Sequence, residues 1–496
     1  MALEQTISLG NFPLFPQFCA ETDLAKCKLT KDQRRIPRRE YDASPGYFTI
    51  TLEDGIRGEA TVTEHTALYR FTFPYNETAN ATTNHPVISL DLQDLAGTRN
   101  GNAKVTVDRE SGRISGSSNF QPSFGTGTYG LHFCLDFSGP ERLDTTIWDR
   151  AGPVSEVAEK EFGGWVPGGA LVKFDSKPQA HVLARVGLSF MSVQQACQNS
   201  ESEIPDYGFE RVKKSAESAW RKKLEVVTTI PGGIDKDLEI IFWSGFYRTM
   251  LSPQDYTNEN PLWNSSEPYF DSFYCIWDSF RAQHPFLTIV DPVEQSRMVR
   301  ALLDIYKHEG KLPDCRMSLC KGLTQGGSNA DVVIADGYLK KLQNVDWDLA
   351  YEAVVSDAEE EPAQWNYVGR GGLQSWKTLG FLPINDDDTL GTGLMTRSVS
   401  RTVEFAYNDF CIAQMAEGLN HMDDYQKYMK RARNWVNLYN PGQNSTINGV
   451  DTGFVGFLQP RYVSQIITQY SLTKLKREGS QVGIPRPCTL LAATEH

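Results

Sequence analysis

Nowhere in the 496 residues does an apolar run reach the roughly 18–20 needed to cross a bilayer, so no membrane partner is expected. Positive charge is scarce too. Lys and Arg total 49 against 62 Asp and Glu, a net charge of −13, which argues against a nucleic-acid partner, since phosphate backbones call for clustered cations. The basic cluster Arg34, Arg35, Arg38 and Arg39 is broken by Pro37 and reads as a solvated loop. The eight histidines form no H-E-x-x-H, and G-x-S-x-G is missing, so zinc hydrolysis and serine esterase chemistry lose support. None of the nine cysteines sits in a short C-x2-C pair with histidine partners, and no residue is nominated as a metal ligand. "MALEQTISLGNF" has no basic start followed by an apolar core, so no signal peptide is visible.

Other features point outward from the cell. Cys19 and Cys27 lie eight apart in a loop-like stretch and make the best local disulfide candidate; Cys315 and Cys320 lie five apart. Local disulfides suit a secreted protein. Four N-x-S/T sequons, at Asn76, Asn80, Asn264 and Asn444, point the same way.

With 40% hydrophobic and 11% aromatic residues, the chain is globular and too long for one ordinary core, so two or more domains are expected. Its first two hundred residues carry a period of two. Phe48, Ile50 and Leu52 alternate with polar neighbours in "GYFTITLEDGIRGEATV", where Asp54-Gly55 supplies a hairpin turn. Tyr69, Phe71 and Phe73 alternate next, then Tyr129 to Phe137 in "YGLHFCLDF", then Val182, Ala184, Val186 and Leu188. This pattern predicts a two-layer antiparallel sandwich. Near residue 205 the period lengthens, and Phe209, Val212, Ala216, Trp220 and Leu224 make one helix face. Beyond Pro231-Gly232-Gly233, helices are predicted at about 235–251, 292–309, 329–341, 346–359, 398–419 and 422–438. Long loops join them, and sites tend to be built on such loops. From residue 463 no apolar face is evident.

Four stretches are candidates for chemistry. "DSFYCIWDSFRAQHP" gathers Trp277, Asp278 and Arg281. A carboxylate and a guanidinium hydrogen-bond adjacent sugar hydroxyls, and an aromatic ring packs on the C–H face. The bland alternative is an Asp–Arg pair fixing a helix start with Trp277 in the core. "GLTQGGSNADVVIADGY" holds Gly326-Gly327-Ser328-Asn329 without a Walker lysine, and reads as a Gly-rich turn with a Ser or Asn cap before a helix at Ala330. Asp331 and Asp336, five apart, share no helix face well. In "QWNYVGRGGLQSWKTLGF", Trp365, Arg370 and Trp376 suit either a binding loop or packing. The triplet Asp386, Asp387 and Asp388 lacks the alternation and terminal Glu of a calcium loop and reads as a solvated loop.

Taken in order, "SLGNFPLFPQFC", "SPGYFTITLEDGIRGEATVTEHTALYRFTFP", "YCIWDSFRAQHP", "GKLPDCRMSLCKG", "SNADVVIADGYLK", "GRGGLQSWKTLGF" and "GVDTGFVGFLQPRY" resemble the calcium-dependent α-mannosidases of glycoside hydrolase family 92 in their fungal secreted form. The resemblance covers about residues 8–462. It implies a multidomain β plus α chain: an N-terminal antiparallel β-sandwich followed by an (α/α)6 barrel. It also implies exo-acting, inverting cleavage of α-mannosides, α-1,2 linkages foremost, in N-glycans or mannans, with one calcium and extracellular localisation. Inverting hydrolysis uses a carboxylic acid and a carboxylate roughly 6.5–9.5 Å apart. Carried over by motif, Asp278 and Arg281 hold the non-reducing mannose and Trp277 shapes the same wall.

The family's general-acid motif E-G-x-x-W and base motif G-N-D-D-x-G have no counterpart after "GFLQPRY". The catalytic residues are therefore unassigned, the calcium ligands are expected to be incomplete, and the barrel is expected to be incomplete. The expected layout is a sandwich over 1–205, a helical linker over 206–234, a partial barrel over 235–462 and a non-family tail over 463–496. The alternative function is a non-catalytic carbohydrate-binding remnant.

Overall fold

The computed structural model of the chain describes residues 10–462, apart from 21–26, 31–32, 35, 76–83, 124, 155–156, 178–180, 231, 234 and 387–396. The tail from 463, the sequons at Asn76 and Asn80, and Asp387 and Asp388 lie outside the described residues. The chain forms two compact units. One runs through Asn264 and includes Met317–Cys320; the other comprises Ser265–Arg316 and the chain from Lys321 onward.

The first unit is built on two antiparallel sheets. The smaller orders Leu14–Ala20, Asn84–Asp91, Gly168–Phe174, Arg142–Asp149 and Gly152–Val154. The larger orders Glu159–Phe162, Arg99–Val107, Ile114–Phe120, Tyr129–Ser138, His181–Ser189, Thr66–Thr72, Arg57–Val62, Tyr47–Leu52 and Arg38–Ser44. Ile88, Leu90, Ile147, Val172 and Phe174 of the smaller sheet meet Phe71, Val105, Phe133, Leu135 and Val186 of the larger in one core. The period-two runs put these side chains on inner faces, as alternation requires of strands with one dry side. Disulfides join Cys19 to Cys27 and Cys134 to Cys197.

Two sequence expectations change in this unit. The helix Phe209–Leu224 is no spacer, because Phe209 and Val212 bury against Leu68 of the larger sheet and Ile204, which ends the helix Val193–Glu203. Arg34 is not solvated: its side chain is 7% exposed and pairs with buried Asp91. A buried carboxylate needs such a counter-charge, and a short-range reading of the basic cluster misses it.

The second unit is mainly helical. Ser398–Gly418 packs against Ala330–Leu339, Trp347–Glu359 and Met422–Arg431, and Pro292–Glu309 packs against Gln283–Val290 and Ala330–Leu339. Local chemistry sets the boundaries. Asp291 caps Pro292–Glu309 by accepting from the Glu294 amide, with Pro292 in the first turn, and Gly310 closes it with φ of 77°. Asp346 caps Trp347–Glu359 through the Leu349 amide at 3.0 Å.

Candidate functional site

Tyr274 and Cys275 pair with Arg316 and Cys315, and a Cys275–Cys315 disulfide ties the two strands. Cys315 thus bonds a residue 40 positions upstream, not Cys320. Directly after Cys275 the chain turns into a short helix, Ile276–Ser279, anchored by the Ile276 amide donating to the Asp314 carbonyl at 3.0 Å. Ile276 and Ser279 point inward, which leaves Asp278 exposed and Trp277 partly buried. Arg281 follows, its guanidinium 4.5 Å from the Trp277 ring centre and 4.6 Å from that of Phe280. Trp277, Asp278 and Arg281 therefore share one turn.

Arg281 does not take Asp278 as its ion-pair partner. Its Nη2 donates to Glu404 Oε1 at 2.7 Å, so the bland Asp–Arg pairing is replaced by a tie to the helix Ser398–Gly418. Although Asp278 is exposed, the part of its carboxyl that the turn covers raises its pKa by desolvation, and Arg281 opposes the shift. Burial raises Glu404 as well, against the pull of Arg281 and the Trp277 indole. Beside them Asp314 is fully enclosed. Burial pushes it up to about 7, opposed first by the Asn329 side-chain amide, while the nearby Glu404 charge adds to the rise.

The Gly-rich turn lies against this cluster. Gly327 has φ of 80°, and a Cβ there would fall 2.6 Å from Asn408 Oδ1 and 3.0 Å from Glu404 Cβ. The helix does begin at Ala330, but Asn329 does not cap it. Its Nδ2 instead donates to the Gly326 carbonyl at 2.9 Å and reaches Asp314. Asp331 is buried against Arg370, whereas Asp336 pairs with Lys340 at 2.8 Å near the surface, so the two acids do diverge.

Trp365, Arg370 and Trp376 are interior groups. Arg370 donates to Asp331 at 2.8 Å, Asp409 at 2.5 Å and Ser328 at 2.7 Å; Trp376 Nε1 donates to Asp409 at 3.0 Å. The third stretch therefore braces the second against Ser398–Gly418. Asp386 departs from the solvated-loop expectation. It is buried and accepts from Ser375 Oγ at 2.6 Å, its carboxylate lying close against Gly372.

Glu404, Asn408 and Asp409 were missed by sequence reading. The available signal was polar residues at positions i, i+4 and i+5 among the apolar and aromatic residues of "VEFAYNDF", which places Glu404 and Asn408 on one helix face.

Among the described residues, the one group of three side chains close enough to share a metal is Glu64, His65 and Glu203, in the first unit. It does not fit calcium, which takes 6–8 oxygen ligands. It offers a histidine nitrogen, and Glu203 already accepts from the His65 ring at 2.7 Å, the His65 amide at 3.0 Å and Thr63 Oγ1 at 2.5 Å.

Residues 5–189 match the glycosyl hydrolase family 92 N-terminal domain, and residues 195–481 match the family 92 catalytic domain. The second match runs past Tyr462 into the segment expected to be foreign. An uncharacterized secreted glycosidase of Arthroderma benhamiae is 49% identical over 467 residues, which are 92% of this chain and 57% of that protein. The chain thus spans somewhat over half the length of this relative. A family 92 inverting mannosidase of Bacteroides thetaiotaomicron superposes with a TM-score of 0.74 at 24% identity, over 87% of this chain and 55% of its own. An α-mannosidase of the same family and bacterium, in complex with mannoimidazole, gives 0.72 at 23% identity, over 89% and 58%. At these identities the likeness is one of fold.

Proposed function

The chain belongs to glycosyl hydrolase family 92, and we propose that its helical unit supplies the mannose-holding side of an exo-acting, inverting α-mannosidase that works on N-glycans or mannans, with α-1,2 linkages the first to test. The observation that carries this reading is the Arg281 guanidinium seated on Trp277 with Asp278 exposed in the same turn. Asp278 accepts from a pair of sugar hydroxyls, Arg281 donates to a neighbouring one, and Trp277 walls the subsite. Because partial desolvation raises Asp278, its accepting form is lost at a higher pH than for a fully open carboxylate, and sugar binding weakens on acidification. No described residue is assigned as general acid or base, and none is assigned to calcium, which enters as a family trait. Three disulfides, the secreted relative and the exposed sequons Asn264 and Asn444 support an extracellular, glycosylated protein.

A second reading is non-catalytic mannose binding, which needs only the turn that carries Trp277, Asp278 and Arg281. One experiment separates the two. The 496-residue chain is tested for mannose release from α-1,2-mannobiose, with calcium and with a chelator, and titrated with methyl α-mannoside. Calcium-dependent release supports the enzyme, and binding without release supports the second reading. Neither binding nor release from a folded chain refutes both.

A further inference from the structure

We propose that Glu404 is a positioning residue of this subsite, holding the Arg281 guanidinium over Trp277 so that its remaining N–H groups face the sugar. The inference rests on the mannose-subsite reading.

Arginine on an exposed turn ordinarily samples many rotamers, and ordering it costs side-chain entropy. Arg281 is 37% exposed at its side chain, yet three contacts fix it: the Trp277 and Phe280 rings and the 2.7 Å bond to Glu404. The rings set the height of the guanidinium plane, and the charge-assisted bond through Nη2 sets its rotation. Glu404 is suited to the task because it is itself fixed. Its side chain is 7% exposed and stands inside a 21-residue helix, with the Gly327 turn closing one side of its Cβ. Buried Asp314 and Asn329, whose amide reaches Asp314, line the interior beside it. Glu404 is separated from Arg281 by 123 positions, so the pair locks the W-D-S-F-R turn to a distant helix.

The test is a methyl α-mannoside titration of the whole chain as wild type, Arg281→Gln, Glu404→Gln and the double variant, with Glu404→Asp as the conservative change. Glu404→Gln keeps shape and removes charge, and is expected to weaken binding about tenfold. The double variant should bind no more weakly than Arg281→Gln alone, since Glu404 acts through Arg281. Glu404→Asp should recover part of the loss. Trp277 emission, taken as the difference from Trp277→Phe, should shift in Glu404→Gln to that of Arg281→Gln. Unchanged affinity in Glu404→Gln, or losses that simply add, would overturn the proposal. If wild type binds no mannoside, the subsite reading fails instead, and the Trp277 emission still decides whether Glu404 sets Arg281. Should Glu404→Gln not fold, Glu404→Asp takes its place in the cycle.

Discussion

Replacing Asp314 by Asn isolates the electrostatic strain beneath the Trp277–Arg281 turn. In the folded chain burial holds the Asp314 proton up to about pH 7, against an ordinary value of 3.8. The unfolded chain releases that proton near pH 4. Between those limits the folded state binds more protons than the unfolded one, so wild-type stability falls as pH rises and the loss is complete above 7. The difference, 7 minus 3.8, at about 1.36 kcal/mol per unit, amounts to about 4 kcal/mol. Asn has the same shape and does not ionise. At pH 4 the exchange is between two neutral groups and costs about 1 kcal/mol in imperfect hydrogen bonds to Asn329 and the Trp277 amide. At pH 8 the variant escapes the ionisation penalty and should exceed wild type by about 3 kcal/mol. Urea unfolding followed by far-UV circular dichroism at pH 4, 6 and 8 measures the trend. An Asn-minus-wild-type difference that stays constant across the three would refute burial as the source of the shift.

Other perturbations give sharper local readings. Removing the Cys275–Cys315 bridge with a paired Ser substitution frees a loop of 40 positions and should cost about 4 kcal/mol, read as a lower urea midpoint of the variant against the oxidised protein. Arg370→Ala strands Asp331 and Asp409 and should destabilise by about 3–5 kcal/mol, more than Asp409→Asn, in the same assay. Asp278→Ala, on an exposed turn, should leave the thermal midpoint within about a degree or two, a surface-sized effect, while abolishing methyl α-mannoside binding; unchanged affinity would remove Asp278 from the subsite.

Sequence legibility followed the range of each signal. The alternation from Tyr129 to Phe137 shows directly in the chain, because each strand declares its own buried face. Helices such as Pro292–Glu309 declared themselves equally well through apolar spacing and the Asp291–Pro292 cap. The turn holding Trp277, Asp278 and Arg281 was visible as one compact motif. Its organisation was not, because Glu404 lies 123 positions away and the connection exists only after folding. The same cause hid the burial of Arg34, whose partner Asp91 sits on a strand 57 positions along the chain, and the bond from Cys315 to Cys275 rather than to its near neighbour. Asp386 looked like one of three equal acids, and only the packing of Ser375 and Gly372 sets it apart.

The Gly327 turn bears on how this site can change over generations. Any side chain at 327 would collide with Asn408 and crowd Glu404, in a backbone conformation that L-residues rarely adopt, whereas neighbouring Gly326 has 3.8 Å of room to its nearest contact. Drift at 327 would therefore disturb Glu404, the ion-pair partner of Arg281, before it altered the proposed sugar contacts. Position 278 is open to solvent and free of that constraint. A change of side chain at 278 in the proposed subsite therefore meets no packing obstacle of the kind found at 327.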